Sequence, residues 1–199
     1  MQHVMIDLET LGTAVNAPVL AIGAVFFEPS TGEIGPKFYA GIDMGDACRW
    51  GRPNGDTIKW WMGQSDEARR AATAGRDTSA EAFGKFRGWL AQGGLDIKPW
   101  GNGASFDISI LDYAFARITD KPAPWKFWNV RDCRTIQELG RLVTEYPGER
   151  QGTHHQALDD ALFQAQWVSH YWQALTKGSA VRAAPPRPVA STSAVDLLV

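Results

Sequence analysis

An apolar run that ends in acids opens the chain: His3-Val4-Met5-Ile6-Asp7-Leu8-Glu9-Thr10. Side chains two apart on a strand share a face, so a strand over residues 3–8 brings Asp7 and Glu9 together near its end. A second run, from Pro18 to Phe27, is apolar throughout and reads as a strand over 18–28. A turn at Thr31-Gly32 and a third strand over 37–43 complete an antiparallel meander. So uniformly apolar a strand calls for cover on both faces of its sheet.

The rest of the chain can supply that cover. Helices are expected over 56–62 and 65–74, the latter capped by Ser65-Asp66-Glu67, and from Ser79, with Phe83, Phe86, Trp89 and Leu90 on one face. A short strand over Ile97–Trp100, a helix over 106–118, a fifth strand over 128–133 and a short helix over 135–143 follow. A polar loop over 145–154 precedes a last helix from about Gln156 to Leu175. A meander followed by alternating helices and strands predicts an α/β fold, a mixed five-stranded sheet flanked by helices. The chain, 199 residues long, suffices for one core. We read residues 1–175 as the domain and 176–199, rich in Ala, Pro and Ser, as a flexible, disordered tail. The apolar end Ser193–Val199 is read as an undocked terminus rather than a partner-binding peptide.

Two cysteines, Cys48 and Cys133, stand far apart without metal-ligand spacing. No apolar stretch is long enough to span a bilayer and no signal peptide is visible, so no membrane partner and a reduced, cytoplasmic location are expected. Net charge is −2; Lys177, Arg182 and Arg187 against Asp196 give the tail +2, which leaves −4 on residues 1–175. That balance excludes wrapping duplex along a basic track. It allows an enzyme that grips a short end, with bound cations offsetting its acids.

Four carboxylates and a histidine carry the chemistry. Asp7 and Glu9 on one strand face repel unless a cation lies between them, and their oxygens suit Mg²⁺ or Mn²⁺. Asp107 closes Asn102-Gly103-Ala104-Ser105-Phe106-Asp107 at the expected start of a helix, where it could simply be an N-cap. Asp160 falls in the first turn of the last helix, where an acid suits the helix dipole. Each has a plain structural explanation alone; strand end, helix start and first helical turn are also where a sheet-based site would draw ligands. His155, five residues before Asp160, has an unperturbed pKa of about 6.5 and suits a general base. Its neighbour His154, like Asp159 beside Asp160, leaves the pairing open at this point. Trp60 and Trp61 could stack on bases; core packing is favoured for at least one of them, and Arg131 and Arg134 stay unassigned.

Taken together, Asp7-Leu8-Glu9-Thr10, Asn102-Gly103-Ala104-Ser105-Phe106-Asp107 and His155-x-Ala157-x-x-Asp160 resemble the DEDDh 3′–5′ exonuclease superfamily, over roughly residues 3–172. The five-residue gap of the third motif selects His155 with Asp160. Asp56-Thr57-Ile58-Lys59-Trp60-Trp61, Ser65-x-Glu67-Ala68-Arg69 and Arg131-Asp132-Cys133-Arg134-Thr135 are similar to phage and prophage exonuclease VIII-like proteins and a related bacterial 3′–5′ exoribonuclease family.

The resemblance implies a ribonuclease H-like fold and removal of nucleoside monophosphates from the 3′ end of single-stranded or overhanging RNA or DNA. Two Mg²⁺ or Mn²⁺ ions about 3.5–4 Å apart would be held by Asp7, Glu9, Asp107 and Asp160, with His155 as base. It also implies Thr10, Leu11, Asn102, Ser105 and Phe106 as substrate-lining residues, to which Trp61 is added as a ring able to stack on a base. Relatives are often dimers, so a homodimer is one option, though no segment declares a self-complementary surface; the expected setting is a bacterium or phage-infected host cell. Two rivals stand beside this reading: a catalytically inactive nucleic-acid-binding protein, disfavoured because no ligand position is substituted, and a mononucleotide phosphohydrolase.

Overall fold

The computed structural model describes residues 1–150, 152 and 154–177. β1 (His3–Thr10) pairs antiparallel with β2 (Val19–Glu28), which pairs antiparallel with β3 (Glu33–Gly41). β4 (Lys98–Gly101) and β5 (Arg131–Asp132) join in parallel on the other side of β1, giving the order β3-β2-β1-β4-β5. The expected mixed five-stranded sheet is therefore present. The C-terminal ends of β1, β4 and β5 point the same way, and chain direction switches beside β1. In open α/β sheets this is where ligands bind.

Strand alternation sorts the core into two layers. Val4, Ile6, Leu8, Ile22 and Phe26 face α4 (Ser79–Leu90) and α5 (Ala104–Thr119), where Phe83, Phe86, Leu111 and Phe115 fill the interior. Met5, Val25, Phe27 and Trp100 face the other way, against Ala161, Ala165, Val168 and Tyr171 of α7 (Ala157–Thr176). Truncating one of these buried rings to alanine costs about 3–5 kcal/mol. Asp7 and Glu9 follow Met5 at two-residue steps, so they lie on the α7 face.

How closely α7 can approach depends on one position. Gly23 is in register with Asp7, and a Cβ there would come within 2.1 Å of the Ala157 carbonyl carbon. The missing side chain lets the first turn of α7 settle over the end of β1. Small residues at Ala157, Ala161 and Ala165 repeat one turn apart and hold the rest of the helix close to the sheet.

Several boundaries differ from the sequence reading. A helix, α1 (Met44–Trp50), follows β3 where none was expected; Asp43, read as the end of the strand, caps it by accepting from the Asp46 N–H. The third strand begins earlier, at Glu33, and stops at Gly41. The fifth strand shrinks to Arg131–Asp132, because the Asn129 side chain donates to the Ile97 carbonyl and residues Phe127–Asn129 coil into a 3₁₀ turn. α6 (Cys133–Gly140) starts two residues early, since Asp132 caps it through the Arg134 and Thr135 N–H groups. α2 (Gly55–Met62) and α3 (Asp66–Thr73) fall where expected. Thr176 closes α7 rather than opening the tail. The expected disordered tail lies, from residue 178 on, outside the described residues. Among the described residues no helix is long and apolar enough to cross a membrane.

Candidate active site

The cavity at the C-terminal end of β1 has a volume of about 640 Å³. β1 supplies Asp7, Leu8, Glu9 and Thr10 to its wall, α5 supplies Phe106 and Asp107, and α7 supplies Asp160 and Gln164. His155 and Arg150 enter from the segment before α7, and Trp60 and Trp61 close the α2 side.

Ligand oxygens of Asp7, Glu9 and Asp160 all lie within 4.8 Å of one another. Glu9 and Asp160 are 7% exposed, and the Glu9 Oε1 atom has no hydrogen-bond partner. Burial pushes the Asp7 carboxyl well above the usual carboxylate range, and the charges of Asp107 and Glu9 add to it. Burial and the Asp107 charge push Glu9 up to about 8. Crowded, desolvated, partly unpartnered oxygens of this kind fit a hard divalent cation.

Asp107 is one turn inside α5, not at its cap; Gly103, with φ +96°, takes that position. Its Oδ1 accepts the Leu8 N–H at 3.2 Å, which ties the helix to the end of β1. Burial raises Asp107 to about 7 against the pull of its backbone hydrogen bonds. It lies on the same wall as the other acids but outside the group of three whose oxygens converge.

His155 is held from three sides. Its backbone is left-handed, φ +60°, and its N–H donates to Asp160 Oδ2 at 3.1 Å. Its ring meets Trp60 edge to face, centroids 4.8 Å apart at 82°. Partial burial, then His154 and Arg150, hold its pKa below the usual imidazole value, which keeps it neutral and able to accept a proton. His154 is exposed and off the cavity wall.

The two tryptophans sit in different surroundings. Trp61 is buried, and its Nε1 donates to the Thr10 carbonyl at 2.9 Å, fixing α2 to the end of β1. Trp60 is 45% exposed and carries the His155 ring. Thr10, Asn102 and Phe106 line the cavity. Leu11 and Ser105 do not; Leu11 lies behind the wall in an adjoining apolar pocket with Trp61, and Ser105 is exposed.

Among the wall residues missed in the sequence, Gln164 and Arg150 contact the acids. Gln164 is buried, and its Nε2 donates to Asp7 Oδ1 at 2.7 Å. Its signal was available, since position 164 falls one helical turn after Asp160 on the same face. Arg150 pairs with Asp160, and its guanidinium lies over the Phe163 ring at 5.5 Å. It sits in a polar loop with no periodicity to mark it. Arg134, left unassigned, reaches the wall from α6.

The family described as "3'-5' exoribonuclease Rv2179c-like domain" matches residues 2–172. An exodeoxyribonuclease of Enterobacteria phage T4 is 30% identical over 166 residues, covering 71% of this chain and 73% of the relative. Among solved structures, the nuclease domain of 3'hExo, a DEDDh family member bound to rAMP, superposes with a TM-score of 0.53 at 14% identity, covering 88% of this chain and 92% of that one. Pop2p of S. pombe, in its Mg²⁺- and Mn²⁺-bound form, gives 0.54 at 13% identity, with coverage of 89% and 84%. These likenesses agree with the ribonuclease H-like arrangement of the sheet.

Proposed function

This chain belongs to the family of the 3'-5' exoribonuclease Rv2179c-like domain and is a 3′–5′ exonuclease, and from that premise we propose that it uses a DEDDh-type site to remove nucleoside monophosphates from single-stranded or overhanging 3′ ends in a divalent-metal-dependent reaction. The observation that carries this is the convergence of Asp7, Glu9 and Asp160 at the floor of an open cavity, with Asp107 on the same wall. These four carboxylates would hold Mg²⁺ or Mn²⁺, two ions in the full form of the proposal. The Mg²⁺- and Mn²⁺-bound Pop2p structure, of the same fold, supports that choice of metal. When bound, the cations would neutralise the acids and polarise the scissile phosphodiester.

The chain's own residues do the rest. His155 accepts the proton of the attacking water on its imidazole, and its left-handed backbone and Trp60 set where that imidazole stands. Gln164 orients Asp7 through its amide. Arg150 offsets the acids by pairing with Asp160 and would compete with a cation for that carboxylate. Thr10, Asn102, Phe106 and the edge of Trp61 bound the space for the terminal nucleotide.

The family description names an exoribonuclease and the phage relative an exodeoxyribonuclease, so the test carries both sugars. Purified protein is incubated with 5′-labelled RNA and DNA oligomers in Mg²⁺, Mn²⁺ or chelator, beside Asp7→Asn. The expected result is a ladder shortening from the 3′ end that chelator and the variant both abolish. Oligomers left intact in every metal would overturn the proposal, and hydrolysis confined to free nucleotides would replace it with a phosphohydrolase.

A further inference from the structure

Beyond the cavity, the β5 edge of the sheet exposes two large aromatic side chains on a stiff mount. Phe127 is 76% exposed and Trp128 52% exposed, with ring centroids 4.8 Å apart at 82°. The turn that carries them is fixed from below. Asn129 is buried and donates to the Ile97 carbonyl at 3.1 Å, and Val130 packs on the core. Arg131 Nη1 donates to the Trp128 and Val130 carbonyls at 3.1 and 3.0 Å, which ties the turn to the edge strand. Exposed rings held so firmly do not relax into the core.

Cations accompany the rings along the same edge. Lys126 Nζ lies 5.9 Å from the Trp128 ring centroid, though it is paired with Asp96 Oδ1 at 2.7 Å. Arg131 follows in β5, and Arg134, exposed at the start of α6, stands on the cavity wall with its Nε toward Asn102 Oδ1 at 3.4 Å. The six residue steps from Trp128 to Arg134 separate them by at most about 20 Å, roughly six nucleotides of stacked single strand. A protein-binding surface is depleted of charge at its centre. Aromatic faces interleaved with cations match a single-stranded nucleic acid instead, whose bases stack and whose phosphates pair.

We propose that this strip, from Arg134 through Arg131 to Trp128 and Phe127, carries the single strand upstream of the 3′ end that enters the cavity. The proposal rests on the exonuclease reading of that cavity and assigns its substrate a path. Bases stack on Trp128 and Phe127, and phosphates meet Arg131 and Arg134.

Steady-state kinetics on trimers and twelve-mers, with the Phe127→Ala/Trp128→Ala double variant and with Trp128→Phe, test it. Because both rings are exposed, the variants should fold. On the twelve-mer the double variant should raise KM by roughly 30-fold or more, since each of the two stacked bases lost is worth roughly 5- to 150-fold, with kcat unchanged, while Trp128→Phe, which keeps two rings, should stay near wild type. On the trimer, wild type and double variant should match. Arg131→Ala should lower the slope of log affinity against log salt by about 0.7 for a twelve-mer bound in chelator. Equal losses on trimer and twelve-mer, or no loss on either, overturn the strip. If wild type cleaves no oligomer, the exonuclease reading has failed separately. The strip is then decided by twelve-mer binding in chelator, where equal affinity of wild type and double variant overturns it and weaker binding by the variant upholds it.

Discussion

β1 buries ionisable side chains at both ends. At its start His3 sits among the rings of Phe27, Trp100 and Trp172, 5.8–6.0 Å away; at its end Asp7 and Glu9 face Asp160 across the cavity floor. Loss of water is the main force on both. It pulls the His3 base down to about 4 and pushes the Glu9 acid up to about 8. At the start, the neutral form is complete, because Trp100 Nε1 donates to His3 Nδ1 at 2.9 Å. At the end, the charged form is left unfinished: like charges crowd together and Glu9 Oε1 has no partner. A buried polar group that is satisfied locally is architecture, whereas one left unsatisfied beside a cavity marks where a ligand belongs.

The contrast breaks most visibly at Asp7. Asp7→Asn should cost on the order of 10³-fold or more in rate, the worth of several kcal/mol of transition-state charge stabilisation. In chelator the same variant should raise Tm, because it removes a buried repelling charge while keeping an acceptor for Gln164. Lower Tm with unchanged activity would show that the acid end is structural like the other. Next comes the base. His155→Ala should cost 10²–10⁴-fold, and His154→Ala should leave the rate as it was; the reverse result would shift the assignment by one residue.

Gln164 sharpens the comparison, since it does for Asp7 what Trp100 does for His3. Gln164→Leu should weaken Mg²⁺ binding, read by calorimetry, and activity by about 10–100-fold. Gln164→Asn, too short to reach, should resemble it. An unaltered Mg²⁺ affinity would show that the 2.7 Å hydrogen bond serves packing alone.

The smallest effect is a pair of opposed pH slopes in stability, measured by denaturant unfolding in chelator between pH 4 and 8. His3 binds a proton less readily folded, about 4, than at its ordinary 6.5. In that window the unfolded chain holds more protons, so stability is lost as pH falls. Glu9 behaves oppositely, with its folded value near 8 above the ordinary 4.5, so its contribution falls as pH rises. His3→Phe should flatten the acid side of the profile and leave activity intact; Glu9→Gln should flatten the neutral side. Saturating Mg²⁺ should suppress the second slope and not the first.

What could be read in advance follows from periodicity. The two-residue spacing of Asp7 and Glu9 placed them on one face, and the spacing of Phe83, Phe86 and Leu90 placed α4 against the sheet. The errors came where one side chain overruled a local pattern. Asn129 spends its amide on Ile97 and turns an expected strand into a 3₁₀ turn. Asp43 and Asp132 cap helices, so one helix appeared unannounced and another started early. Arg150 and the different surroundings of Trp60 and Trp61 depend on contacts across the cavity, to which no sequence interval corresponds.

By itself the sequence determined the strand face that carries the acids, the order of the five strands and the residue types able to hold a cation, because each is set by local spacing and side-chain chemistry. Tertiary structure alone decided which groups converge. Gly23 admits α7 over the end of β1, Asp160 and Gln164 arrive with it, and His155 is set against Trp60. The physical reason is that convergence depends on distances between elements, and those are set by packing volumes such as an absent Cβ rather than by position along the chain.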